Sequence, residues 1–341
     1  MKTREGNELN AAGGNLRNIL KKAWQKRRDY IEGNDIMAYR LVTKEEMGWA
    51  SGTGLPVAVD IYTGETNKAA VIQIYDADVN EKEMMNLEDI LAEDFQIGKI
   101  FYKKRYRVKE DIDAGGELNE KAVEMVVEEN EGKFLINLNN YLDTGLFLDH
   151  REARKWVKSY VAKKVAENDD FTVLNLFAYT GSFSVYAAQG GAKMTHTVDL
   201  SKTYCDWARR NFELNGMARE MHWIYRMDTF EFYKYAARKG LLFDLIILDP
   251  PTFSRNKGQN FSVQRDHFDL IKGAASLLKP EGEILFSNNC LDFELDRRLE
   301  NGYIITNTQS KTVPLDFKVE PEDAGYDATP QIHNSYLIRK A

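Results

Sequence analysis

The hydrophobic run Phe243-Asp244-Leu245-Ile246-Ile247-Leu248 stops abruptly at Asp249-Pro250-Pro251-Thr252-Phe253. Its length and its aliphatic, β-branched character predict a strand buried on both faces. Two prolines cannot donate to a sheet ladder, so the strand ends there. That leaves the Asp249 carboxylate, the Pro250 carbonyl and the Phe253 ring at the strand's carboxyl end, the edge where open α/β sheets bind ligands.

Other acids fall at comparable places. A strand Phe171–Phe177 ends in the turn Asn175-Leu176-Phe177-Ala178-Tyr179-Thr180-Gly181, a second ends in Asp199 and a third near Asp228. The turn lacks the full GxGxxG, so a diphosphate has a poor cradle and a dinucleotide is disfavoured. Asp199 is placed to accept two ribose hydroxyl hydrogen bonds, and Asp228 to accept from an adenine amino group. Acids at successive strand ends without a phosphate loop fit a nucleoside cofactor with a cationic centre, S-adenosyl-L-methionine above all. Each acid taken alone is equally well a helix N-cap. Serine hydrolysis is disfavoured, because Gly181-Ser182-Phe183 is no nucleophile elbow.

From about residue 148 strands and helices alternate, which predicts an α/β, doubly wound, mostly parallel sheet. Residues 302–309 and 333–340 can close it as an antiparallel edge pair. Upstream, six strand-like segments between about 36 and 140 are broken by one helix, Glu81–Phe95, and Val123–Leu138 reads as a hairpin turning at Asn130-Glu131-Gly132. The expected organisation is a basic helical segment (1–30, the helix running Leu16–Tyr30), a small α+β domain (31–140) and the α/β domain (141–341).

The 341 residues are 43% hydrophobic and 29% charged, ample for two domains. The two cysteines, Cys205 and Cys290, lack metal or disulfide-framework spacing, which fits a reducing compartment and no metal site. No apolar run is long enough to span a bilayer, and the amino terminus lacks an apolar signal region, so a soluble cytoplasmic protein without a membrane partner is expected. Net charge is −7, yet basic residues cluster: Lys21, Lys22, Lys26, Arg27 and Arg28 in one run, Lys99, Lys103, Lys104, Arg105, Arg107 and Lys109 in another, the latter interleaved with aromatics. Such runs either face phosphates or are plain solvated surface.

The segments NLFAYTGSFSVYAAQGGA, TVDLSKTYCDWARRNFELNG, DLIILDPPTFS, FSVQRDH, LFSNN and QIHNSYLI, with YLDTGLFLDHR at Tyr141–Arg151, together resemble the RlmK-type large-subunit rRNA methyltransferases. These form the carboxyl-terminal half of a bifunctional bacterial K/L enzyme and methylate guanine at N7. The resemblance covers nearly the whole chain. The other half of that enzyme, with its THUMP domain, has no counterpart in these residues, so a stand-alone form is expected.

The resemblance implies a class I S-adenosylmethionine-dependent methyltransferase domain, Rossmann-like, behind a small α+β domain with an RNA-binding role, acting on large-subunit ribosomal RNA. Phe177, Tyr179, Thr180 and Gly181 would line the methionine end of the cofactor, Asp199 and Ser201 the ribose, and Asp228 the adenine. Asp149 and Arg151 would close over its amino-acid group, or would be an N-cap and a first-turn surface residue. Asp249 and the Pro250 carbonyl would orient the base and Phe253 stack on it, with Asp249 also bordering the cofactor. RNA contacts are expected from Lys103, Lys104, Arg105, Arg107 and Arg265; a helix-start ion pair is the other reading of Arg265. A related pyrimidine C5-methyltransferase family carries a catalytic cysteine just after the fifth strand. Asn288 stands there here, and Cys290 two residues later reads as an inert small residue. Asn288 and Asn289 either bond the base or cap the strand, and His333 reads as a satisfied core histidine. A ribosome-assembly RNA-binding protein without activity is the remaining alternative.

Overall fold

The structure, a computed structural model, describes residues 2–48, 54–106, 121–256, 259–320 and 332–341. The chain divides into two compact units, Met1–Leu148 with Leu315–Pro330, and Asp149–Pro314 with Gln331–Ala341.

The first unit opens on α1 (Lys2–Gly33). The helix starts well before the expected Leu16, because the polar lead contains no proline to stop it. One stripe of α1, Leu16, Leu20, Ala23, Arg27 and Ile31, is buried at the three- and four-residue spacing of a helix face. A four-stranded sheet follows in the order β1 (Ala38–Val42), β2 (Val57–Thr63), β3 (Lys68–Ile74), β4 (Lys99–Lys104). Its first two pairings are antiparallel. The third is parallel, which requires a crossover. That crossover contains α2 (Glu81–Phe95), capped by the Asn80 side chain, which accepts from the N–H groups of Lys82 and Glu83. The expected hairpin is present as β5 (Glu124–Glu129) and β6 (Gly132–Asn137), with positive φ at Asn130 and Glu131 (46° and 72°) as a tight two-residue turn demands.

The second unit is built on a seven-stranded sheet. Helix α3 (Arg151–Val165) leads into β7 (Thr172–Leu176), α4 (Ser182–Gln189), β8 (Met194–Asp199), α5 (Lys202–Leu214), β9 (His222–Arg226), α6 (Thr229–Lys239) and β10 (Phe243–Leu248). A short antiparallel hairpin, β11 (Phe253–Asn256) and β12 (Gln259–Ser262), stands between β10 and α7 (Val263–Ala275). It had no hydrophobic alternation to announce it. Then come β13 (Leu278–Asn288), β14 (Tyr303–Asn307), a single helical turn α8 (Gln309–Thr312) and β15 (Asn334–Lys340).

The sheet order is β14-β15-β13-β10-β7-β8-β9. Its five strands from β13 to β9 are parallel, and β15 and β14 add antiparallel at one edge, as the sequence pattern predicts. Buried side chains form one apolar cluster on each face. Ile247, Leu245 and Leu285 pack with α3 and α4, while Leu248, Ile246 and Phe286 pack with α6 and α7.

His196 on β8 belongs to this interior. Its ring stacks on Tyr225 at 5.7 Å and 6°, its Nδ1 lies 3.1 Å from the Tyr225 hydroxyl, and burial pushes its pKa down to about 4. The folded chain therefore takes up this proton at lower pH than the unfolded chain does. Stability from this site is whole above about pH 6.5 and is lost as pH falls toward about 4, by about 3 kcal/mol in all. Denaturant unfolding between pH 7 and pH 4 checks this. His196→Phe should flatten the slope relative to the parent, and parallel curves for the two proteins would refute the assignment.

Candidate functional site

Strand register places the expected residues in one row. Leu248 on β10 pairs with Leu176 on β7, and Leu176 pairs with Val198 on β8. The next residue on each strand is Asp249, Phe177 and Asp199, so these three stand side by side along the carboxyl edge of the sheet. Asp199 in turn is level with Arg226 on β9, and Asp228 follows two residues later.

The turn after β7 is held open by backbone that L-residues rarely adopt. Phe177, Tyr179 and Gly181 have φ of 54°, 52° and 78°. Non-glycine residues in this region cost roughly 1–3 kcal/mol each and persist at sites that use the geometry. Gly181 is required twice over, by its φ and by space: a Cβ there would lie 2.9 Å from Phe212 Cε1. Asp199 ties the turn to β8, its carboxylate accepting the N–H of Tyr179 at 2.9 Å and of Ser201 at 2.8 Å. Burial raises its pKa, and those backbone donors oppose the rise. Ser201 caps α5 by accepting from the N–H of Tyr204, and the buried Thr180 accepts at its carbonyl from Asn211. The Tyr179 ring packs edge-on against Tyr204 at 4.5 Å.

Asp228 caps α6, its Oδ1 accepting from the N–H groups of Phe230 and Glu231. Both bonds fall on one oxygen of the carboxylate.

Asp249 is held on one side only. Its Oδ1 accepts from the Ser287 hydroxyl at 2.6 Å, and its Oδ2 lies 3.8 Å from His150 Nε2. His150 stacks on His333 at 4.6 Å and 14°, and both lie beside Asp149, whose Oδ2 is 3.6 Å from His150 Nε2 and from His333 Nδ1. Thr312 Oγ1 fixes the far nitrogen of His333 at 2.9 Å. Asp149, His150, Thr312 and His333 are all buried. Burial alone would push the Asp149 carboxyl up, but the two histidines and Arg154 hold it well below the usual carboxylate range. Burial lowers the pKa of His333, against the pull of Asp149. Among the described residues, Nδ1 of His150 and Nδ2 of the buried Asn288 have no hydrogen-bond partner. Asp149, His150 and His333 offer donor atoms within 4.8 Å of one another, a set able to hold a small cation or an ammonium group.

Arg151 is 1% exposed and starts α3 from the interior rather than from the surface. Pro250 is buried, whereas Phe253 on β11 is 74% exposed over the edge. Phe261 on β12 reaches back to the Phe177 ring at 5.9 Å, which fixes the hairpin above the turn.

The basic residues behave less uniformly. On β4 alternate side chains face opposite ways. Lys104 is exposed, but Lys103 is buried and donates to the Tyr141 carbonyl, and burial pushes its pKa down to about 8 with Arg105 acting in the same direction. Arg105 is paired with Asp143 at 2.7 Å and bonds Gln73. Arg107 lies outside the described residues. Arg265 is exposed and paired with Asp266 at 2.7 Å, the helix-start ion pair. Arg27, counted in the first basic run, is 1% exposed.

Sequence reasoning left out His150 and Ser287, set His333 aside, and named Asn288 either as a base contact or as a strand-end cap. The one hint was that LFLDH, LFSNN and IHNSY each join polar residues directly to a hydrophobic run. Cys205 is buried, and burial pushes its thiol up to about 11.

The family described as S-adenosylmethionine-dependent methyltransferase matches residues 92–323. Ribosomal RNA large subunit methyltransferase K of Neisseria meningitidis is 40% identical over 321 residues, 91% of this chain and 83% of that protein. Methyltransferase K/L of Shewanella loihica is 38% identical over 349 residues, 99% of this chain, but the chain spans only 45% of that relative's length. Among solved structures, SMU.776, a methyltransferase complexed with SAH, is 26% identical with a TM-score of 0.73, covering 96% of this chain and 82% of that one.

Proposed function

This chain belongs to the S-adenosylmethionine-dependent methyltransferase family, and from that premise we propose that it methylates large-subunit ribosomal RNA at guanine N7. The observation that carries the reading is the row Asp249, Phe177, Asp199 along one sheet edge beside the turn of positive φ. The rRNA substrate is taken from the names of the relatives.

The donor set suits the cofactor. Carboxylates are offered to hydroxyl, amino and ammonium groups, and the turn gives no cradle for a diphosphate. When bound, S-adenosylmethionine supplies a sulfonium-activated methyl group. Asp199 and Ser201 hold the ribose, and the free Oδ2 of Asp228 accepts from adenine. Phe177, Tyr179, Thr180 and Gly181 line the methionine chain. Asp149 takes the ammonium at its amino-acid end, and Arg151 supports that wall from within. Asp249 borders both ligands.

Guanine N7 is a neutral lone pair with no proton to remove, so the chain needs neither a general base nor a covalent nucleophile. Its work is alignment and exclusion of water. Asp249 accepts from the guanine Watson–Crick donors, the Pro250 carbonyl flanks the base and the exposed Phe253 stacks on it. Of the expected RNA contacts, Lys104 meets phosphate directly, Lys103 and Arg105 brace the strand behind it, and Arg265 can exchange Asp266 for a phosphate. The first unit is the RNA-docking part and the second the catalytic one.

Incubating large-subunit rRNA with methyl-labelled cofactor, then digesting to nucleosides for mass analysis, tests the reading. Label in 7-methylguanosine is expected. Label in 5-methylcytidine or a methyladenosine would overturn the guanine assignment, and no label with no calorimetric heat for the cofactor would overturn the enzyme.

A further inference from the structure

We infer that Asn288 is a specificity-determining residue whose side-chain N–H group reads O6 of the target guanine. The inference rests on the guanine reading above and adds a residue to it.

Asn288 ends β13, directly beside β10. Because Leu248 pairs with Phe286, Ser287 is level with Asp249 and Asn288 with Pro250. The Asn288 carboxamide is fixed in one orientation. Its Oδ1 accepts from the N–H of Cys290 at 3.0 Å and from Asn334 Nδ2 at 3.1 Å. A flip would set its own N–H groups against two donors, so the assignment of oxygen and nitrogen follows from the network. The other end, Nδ2, is fully buried and has no hydrogen-bond partner among the described residues. An orphaned buried donor is destabilising, and each one kept in a native structure calls for an explanation, of which a ligand that completes it is one.

The missing partner is an acceptor at the strand ends where the base is placed. On the Watson–Crick edge of guanine, O6 is the acceptor next to the N1 and N2 donors that Asp249 would take. Adenine presents a donor where guanine has O6 and would face the Asn288 donor with like polarity. A site built to bond one group rejects the analogue lacking it far more strongly than an apolar pocket does.

The test turns on Asn288→Asp, because the carboxylate can still accept from Cys290 and Asn334 while the donor becomes an acceptor. Asn288→Ser, which removes the orphan donor with a smaller change in charge, covers the case in which the buried carboxylate prevents folding. Thermal melting and calorimetry with S-adenosylmethionine should match the parent for at least one of the two. Single-turnover methylation of large-subunit rRNA should then fall by about 10- to 100-fold for Ser and further for Asp, with the loss in kcat/KM for RNA rather than in cofactor affinity. If the parent makes 7-methylguanosine and a folded variant keeps at least half of the parental kcat/KM, Asn288 does not read the base. A parent that makes no 7-methylguanosine instead removes the guanine reading itself, whatever the variants do.

Discussion

Asp249→Asn should bind S-adenosylmethionine nearly as well as the parent and transfer its methyl group to rRNA about 1,000-fold more slowly. The substitution is close to isosteric. Its amide oxygen can still accept from Ser287, which holds the present Oδ1 at 2.6 Å, so the side chain stays in place. The change falls on Oδ2, the oxygen 3.8 Å from His150 Nε2, in a side chain that is itself only partly buried. An amide N–H there opposes the guanine donors instead of accepting from them, and the negative charge is gone. Losing a pre-aligned charged hydrogen bond at the reacting centre and leaving donors face to face amounts to about 4 kcal/mol, hence the thousandfold. Ser287→Ala removes only the anchor and should slow transfer about tenfold. Single-turnover rates with saturating cofactor, alongside calorimetry, separate chemistry from binding. A rate for Asp249→Asn within threefold of the parent would show that the carboxylate does not touch the base.

The row that underlies this prediction was legible because a buried parallel strand declares its own end. A run such as Leu245–Leu248 cannot continue through a carboxylate into two prolines, so the acid after it must stand on the edge. The doubly wound order followed from the alternation of such runs with helices. What the pattern could not give is contact between distant segments. His150 and His333 are far apart in the chain and meet only because β15 returns beside β13. A single histidine in a sequence carries no sign of a second one stacked on it. The β11–β12 hairpin was hidden for another reason, since its strands are four residues each and polar. Burial of Lys103 was readable in principle, because period-two alternation sets it opposite Tyr102 and Lys104, but charge alone suggested one exposed patch.

Arg27→Ala should lower the unfolding free energy of the first unit by about 3–5 kcal/mol, far more than loss of a surface cation. Counting charges placed Arg27 with its basic neighbours, but helical spacing places it on the stripe of Leu20, Ala23 and Ile31, and the structure buries it there. Its guanidinium grips Glu46 with two parallel bonds of 2.9 and 2.7 Å and donates to the carbonyls of Ala23 and Asp316. Glu46 also accepts the N–H of Thr43. Removing the arginine therefore leaves the buried Glu46 carboxylate without its counter-ion. Glu46→Gln keeps the neutral shape and should cost less than Arg27→Ala. The pair Arg27→Met with Glu46→Leu should recover part of the loss, since an apolar pair has no charge to desolvate. Denaturant unfolding of the parent, Arg27→Ala, Glu46→Gln and the variant carrying both of these changes closes a cycle whose coupling energy should be well above that of an exposed pair, which is about 0.2–1 kcal/mol. A cost below about 1 kcal/mol for Arg27→Ala would return this residue to the surface patch that its charge first suggested.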